Sequence, residues 1–227
     1  MSQPEYRKSI RKAKSRKETI IDPYKSIFNR NSIPDDKQYW CLCNYQADED
    51  GNIPKTSEIA QLKENGLINF NQFHGVDLGE DEINRNKTHI PDANWYHGEL
   101  YEIIVKNNKI FNPAIINIDL TVMDAKAISI VTMIMRHINR KKINNVMIVL
   151  NIMLTNPYGT CGRKKQIRNK TILNNDLGKK FIDDKLWVNV FGMGNWKVYS
   201  NDNNNIYTYT GAGEQTTMST LIFYKKD

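Results

Sequence analysis

Two runs set the narrowest limit on what this chain can become. AIINIDLTVM (114–123) and NNVMIVLNIML (144–154) are apolar through most of their length and rich in Ile and Val, yet each is only of strand length. A strand with one face in water alternates apolar and polar residues, whereas a near-continuous run such as VMIVL belongs to a strand covered on both faces. Between the two runs, Ala127, Ile130, Val131, Ile134 and Ile138 recur at helical spacing, with Asp124 placed to cap the first turn of a helix over 124–140. Strand, helix, strand in that order is the crossover unit of a parallel sheet.

The same alternation extends upstream. QYWCLCN (38–44), NQFHGVDL (71–78) and ANWYHGEL (93–100) have the length and the aromatic and β-branched content of strands. Helices are predicted between them, one starting at Thr56 or Ser57, others over 79–87 and 100–106. Downstream the pattern changes: KLWVNVFGM (185–193) and MSTLIFYKK (218–226) are separated by Asn-rich and Gly-containing turns with no helix-length segment, which predicts an antiparallel hairpin. The expected fold class is therefore α/β, a mainly parallel seven-stranded sheet with helices on both faces and a C-terminal antiparallel hairpin.

A chain of 227 residues is long enough for one sizeable core, assigned here to 38–227 and preceded by a basic arm, 1–37, expected to be flexible or partly helical. No run of about 18 apolar residues is present to span a membrane, and the polar, basic N-terminus lacks the apolar stretch of a secretory signal. The cysteines Cys41, Cys43 and Cys161 are odd in number, and the first two are expected to point apart on one strand. A disulfide framework is not expected, and the default location is cytoplasmic. No histidine or cysteine spacing resembles a zinc site, so no metal is expected.

Charge is distributed unevenly. Residues 1–30 carry nine Lys or Arg against three acids, and 140–180 carry ten against Asp176 alone, within a total net charge of +7. Two basic segments attached to an acidic remainder suggest an anionic partner, nucleic acid first. In the second segment Arg163, Lys164, Lys165, Arg168 and Lys170 follow a strand end, where they can contact phosphates while Tyr158 stacks on a base.

Three acids also fall at successive strand ends: Asp77 in QFHGVDL, Glu99 in NWYHGEL and Asp119 in IINIDLT. Open α/β sheets bind ligands along that edge. With seven strands in this order and an antiparallel pair last, residues 38–226 resemble the class I S-adenosylmethionine-dependent methyltransferases, Rossmann-like enzymes. The resemblance implies that Asp77 holds the ribose hydroxyls of S-adenosylmethionine, that Glu99 lies near its adenine amino group, that Asn44 helps to bind it beside the helix start at Ser57, and that Asp119 lines the transfer site. Two departures are visible. The first strand is followed by Asn44-Tyr45-Gln46-Ala47-Asp48-Glu49-Asp50-Gly51, with one glycine where the family has a Gly-rich turn. After the fourth strand stands Asp119-Leu120-Thr121-Val122, without the two prolines and aromatic of the amine-methylating motif; Thr155-Asn156-Pro157-Tyr158-Gly159 echoes that motif one strand later and also reads as a turn. The expected function is methyl transfer to nucleic acid. The alternatives are an inactive methyltransferase-like nucleic-acid-binding protein and, with less support, a nicotinamide-dependent oxidoreductase, against which the absence of GxGxxG counts.

Overall fold

The computed structural model describes residues 16–43, 45–120, 125–153, 195–199, 207–210 and 217–227. The chain divides into two compact units, Met1–Asn117 and Ile118–Asp227.

In the first unit a π-helical turn, Lys17–Ile21, runs into α1 (Asp22–Phe28), which ends at Asn29 in the left-handed conformation. Ile20, Tyr24 and Ile27 recur at helical spacing and are buried together with Ile21 and Ile33. Each such side chain contributes roughly 1.5–3 kcal/mol on leaving water. Packed structure therefore begins well before Gln38, inside the segment read from sequence as an arm.

The sheet of this unit contains β1 (Gln38–Leu42), β2 (Phe73–Asp77), β3 (Asn94–His97) and the first part of β4 (Pro113–Leu120). All pairings are parallel: β1 lies between β2 and β4, and β3 pairs with β2. Between these strands come α2 (Glu58–Glu64), α3 (Glu80–His89) and α4 (Leu100–Lys106). Parallel register aligns same-face residues across strands and so builds two aromatic layers. On one face Tyr39 stacks on Phe73 at 5.6 Å, and Phe73 meets Trp95 at 5.4 Å. On the other, the buried Trp40 stacks on His74 at 4.5 Å and on Tyr96 at 5.4 Å. Pairs of this kind add about 0.5–1.5 kcal/mol beyond area burial. Gly75 is required by the first layer, because a Cβ there would lie 2.6 Å from the Trp95 ring and 2.7 Å from Cys43 Sγ.

Cys41 and Cys43 share a face rather than pointing apart, since residues two apart on extended chain lie on the same side. Both are buried and free, and burial, with a hydrogen bond between them, pushes the Cys41 thiol well up, so it stays protonated.

The second unit contains the end of β4, then α5 (Ala125–Arg140) and β5 (Val146–Met153). On α5, Val131, Ile134, Met135 and Ile138 are buried. Lys142 and Asn145 take positive φ in the turn before β5. β5 pairs antiparallel with β8 (Thr217–Lys225) from Val146↔Lys225 to Met153↔Met218. β6 (Lys197–Val198) and β7 (Tyr207–Thr210) also pair antiparallel with β8. The loss of strand–helix alternation expected after β5 thus appears as an antiparallel ladder; the run 185–193 lies outside the described residues. No helix among them is long and apolar enough to cross a membrane.

Candidate functional site

Two of the acids stand at the C-terminal ends of neighbouring strands, β2 and β3. Asp77 is the last residue of β2 and pairs in register with His97, the last residue of β3; Glu99 follows two residues later as the N-cap of α4. The turns hold the Asp77 carboxylate and tie the two strand ends together. Gly79 N–H donates to Asp77 Oδ1 at 2.8 Å, and Gly98 N–H donates to the Asp77 carbonyl at 2.9 Å, joining the two strand ends. Gly98 has φ +142, which L side chains rarely adopt, so glycine is needed where the chain turns from β3 into α4. Glu99 makes no side-chain cap to the helix it begins. Next to Asp77, Leu78 is 65% exposed, an apolar side chain on an otherwise polar rim, and its carbonyl lies 3.0 Å from His97 Nε2. Partly exposed carboxylates beside an apolar surface can accept hydrogen bonds from neighbouring hydroxyl or amino groups of a ligand whose flat body rests on the apolar part.

The segment after β1 is built differently. Asn44 lies outside the described residues. From Tyr45 onward the loop is held inward by Asn86 and Gln46, whose roles the sequence does not announce. Asn86 Oδ1, on α3, accepts from the N–H groups of Gln46 at 2.7 Å and Ala47 at 3.4 Å. Gln46 Oε1 in turn accepts from the N–H groups of Glu58 at 3.0 Å and Ile59 at 3.2 Å, while Ser57 Oγ accepts from Ala60 N–H at 3.3 Å. The opening amides of α2 are therefore capped by the protein itself, so the helix start at Ser57, expected to help hold a ligand, has those donors already engaged. Arg85 lies with Cζ 4.1 Å from the Tyr45 ring centroid, a cation–π contact that secures the loop from outside.

Beneath that loop lies a buried charged network. Glu58 Oε1 accepts from Tyr39 OH at 2.5 Å and from Asn117 Nδ2 at 3.0 Å, and Glu58 Oε2 is 3.5 Å from Arg16 Nε. Arg16 Nη1 also donates to the Thr56 carbonyl at 2.6 Å and to Gln61 Oε1 at 3.0 Å. Burial, reinforced by the Glu58 charge, pushes the Tyr39 phenol well up. Tyr39 is thus a donor and not a base. His74, on the opposite face, is pushed down to about 4 by burial and is neutral at physiological pH.

Asp119, in the second unit, is the penultimate residue of β4 and is exposed. Tyr158, Arg163, Lys164, Lys165, Arg168 and Lys170 lie outside the described residues, as does the Thr155–Gly159 echo. Among the described residues no cluster of His, Cys, Asp and Glu could hold a metal ion.

No protein-family model matches the sequence. No curated protein matches it either. Among solved structures, the chain is similar to the plantazolicin methyltransferase BamL, crystallised with a triazolic desmethylPZN analog and SAH, at a TM-score of 0.58 and 13% identity over 96% of this chain and 85% of that one. Weaker likenesses, with TM-scores below 0.5, are to the fibrillarin pre-rRNA processing protein of Methanococcus jannaschii (0.47, 10% identity, 91% and 78% covered) and a TehB-like SAM-dependent methyltransferase from Corynebacterium glutamicum (0.43, 17%, 91% and 89%). The fold is that of a class I, Rossmann-like methyltransferase, divergent in sequence, with parallel strands first and antiparallel strands last.

Proposed function

We infer that this chain is an S-adenosylmethionine-dependent methyltransferase that takes its cofactor on the rim carrying Asp77 and Glu99 and acts on nucleic acid. The observation that carries the reading is the placement of Asp77 at the end of β2 and of Glu99 two residues past the end of its parallel neighbour β3, with exposed Leu78 next to Asp77, in a methyltransferase fold. That rim fits the nucleoside part of the cofactor: Asp77 would accept from the ribose hydroxyls and Glu99 from the adenine amino group. The amino acid part finds fewer open donors, since the first amides of α2 are taken by Gln46 and Ser57, and Asn44 is assigned to it by resemblance alone. When bound, S-adenosylmethionine supplies a methyl group already activated on a sulfonium.

The protein's own share is binding and orientation, with Asp119 assigned to line the transfer site. Tyr158, Arg163, Lys164, Lys165 and Arg168 are assigned to the nucleic acid, an assignment supported by the charge of their segment. The test is titration calorimetry with S-adenosylmethionine and with S-adenosylhomocysteine, paired with thermal unfolding. Binding at a hundredfold excess over Kd should stabilise the protein by about 2.7 kcal/mol. Absence of both heat and stabilisation at millimolar ligand would remove the proposal.

A second reading, a methyltransferase-like nucleic-acid binder without catalysis, is favoured by the capped α2 amides and the single glycine after β1. It predicts salt-sensitive nucleic-acid binding with no cofactor response. Removing residues 1–15, which spares the buried side chains from Ile20 onward, should then weaken binding; unchanged affinity and salt slope would exclude the arm as a contact.

A further inference from the structure

The turn that leads from β2 into α3 is held largely from the neighbouring strand. Gly98 N–H donates to the Asp77 carbonyl at 2.9 Å, and His97 Nε2 lies 3.0 Å from the next carbonyl along, that of Leu78. A carbonyl oxygen only accepts, so Nε2 carries the ring proton and donates it. His97 is the register partner of Asp77, so its ring crosses a single strand spacing, about 4.8 Å, to reach the turn. From the helix side there is less support: the N-cap of α3 is Gly79, which has no side chain to cap with. Its N–H instead donates to Asp77 Oδ1 at 2.8 Å.

These bonds hold Asp77 at both its carbonyl and its carboxylate, and hold Leu78 at its carbonyl. The hold on Leu78 restricts its ψ, and so limits how that residue stands relative to the Asp77 carboxylate. Stability does not account for the arrangement. The His97 ring is exposed, so water competes for the bond and the net gain on folding is small. The Leu78 side chain, 65% exposed, leaves most of its apolar surface in water. A ligand covering Leu78 would use both features, taking the side chain out of water and finding its backbone already fixed.

We propose that His97 is a positioning residue of the rim, acting through Leu78: its Nε2–H holds the Leu78 carbonyl so that the Leu78 side chain covers the flat base of a bound nucleoside. The role rests on the cofactor reading given above. Its effect falls on affinity, because a loose turn has to be ordered when the ligand binds.

Titration calorimetry with S-adenosylhomocysteine on the full chain, paired with urea unfolding, tests the role through three replacements. His97→Phe keeps a ring and removes the donor, and should weaken binding about tenfold. Gln carries its amide N–H at the same number of bonds from Cα as Nε2, so His97→Gln should stay within about twofold of the parent. Asn carries it at the position of Nδ1, so His97→Asn should be as weak as His97→Phe. The urea midpoint should be the same for all these proteins. Leu78→Ala should also cost about tenfold, and His97→Phe added to it should cost nothing further, as expected of two residues acting through one contact. Full affinity in His97→Phe, no recovery in His97→Gln, additive losses in the double variant, or a urea midpoint that falls in step with affinity would each overturn the proposal. If the parent chain itself takes no S-adenosylhomocysteine, the cofactor reading falls and the role of His97 with it. If the parent binds and His97→Phe binds equally, the role of His97 falls alone.

Discussion

The rim at β2 and β3 and the loop after β1 are neighbours in one sheet, yet they handle polar groups in opposite ways. At the rim, backbone N–H groups of Gly79 and Gly98 bond to Asp77 where the chain turns, and Asp77 and Glu99 are partly exposed, as is Leu78. In the loop, Gln46, Ser57 and Asn86 engage the local amides, and Glu58 is closed in by Tyr39, Asn117 and Arg16. The first arrangement keeps its carboxylates partly exposed, and the second closes its carboxylate in within the chain. Substitutions in the loop network should therefore act on folding, and those at the rim on binding.

The largest expected effect falls on Glu58. Glu58→Ala leaves the Arg16 guanidinium, Tyr39 OH and Asn117 without their shared acceptor, and loss of one partner of a buried ion pair costs about 3–5 kcal/mol. Urea unfolding should show it, with Arg16→Met a smaller loss in the same direction. A Glu58→Ala protein as stable as the parent would break the contrast, because the network would then carry no structural weight.

Acid is the next probe. Burial holds the His74 pKa in the folded chain at about 4, below the ordinary value near 6.5. Below pH 6.5 the unfolded chain takes up a proton at this site while the folded chain does not, so stability falls as pH drops. The fall levels off below about pH 4, for a total of about 3 kcal/mol. Above pH 6.5 the site contributes no slope. His74→Phe should flatten stability between pH 4 and 6.5; an unchanged slope would assign the acid sensitivity elsewhere.

How much of this could be read from sequence depends on the range of each interaction. Apolar runs announced β4 and β5, and the rim acids were legible because Asp77 and Glu99 each close a short aromatic run. Ser57 was legible as a helix start because its cap acts three residues away. The Arg16–Glu58 pair was not, since 42 positions separate its members and nothing local marks Glu58 as buried. Ile20, Tyr24 and Ile27 differ again: they have helical spacing, but they sit among basic residues whose charge marks the segment as a solvated arm. The expectation that Cys41 and Cys43 point apart misapplied the strand period.

At the rim the effect should appear in binding. Asp77→Asn keeps the shape and an acceptor for Gly79 N–H but removes the charge that strengthens hydrogen bonds from ligand hydroxyls, worth about 1.5–3 kcal/mol in cofactor affinity. Stability should change far less. Calorimetry and urea unfolding on the same protein separate the two, and a variant that binds normally but unfolds early would reverse the assignment of this region.

Gly98→Ala gives the finest distinction, because it alters the turn that carries Glu99 while touching neither carboxylate. At φ +142 an added Cβ is strained whatever the space around it, and it would also stand 3.3 Å from Ile103 Cδ1, a side-chain end that can yield. The cost should thus be mostly backbone strain, about 1–3 kcal/mol. Part of it can be relieved if the turn relaxes and loosens the Gly98 N–H bond to the Asp77 carbonyl. Relaxation would spare stability and weaken ligand binding by displacing Glu99; a rigid turn would lower stability and leave affinity intact. The Gly98 amide exchange rate reports which occurs: faster exchange with weakened binding marks a compliant rim, slow exchange with a lower urea midpoint marks one as rigid as the loop after β1.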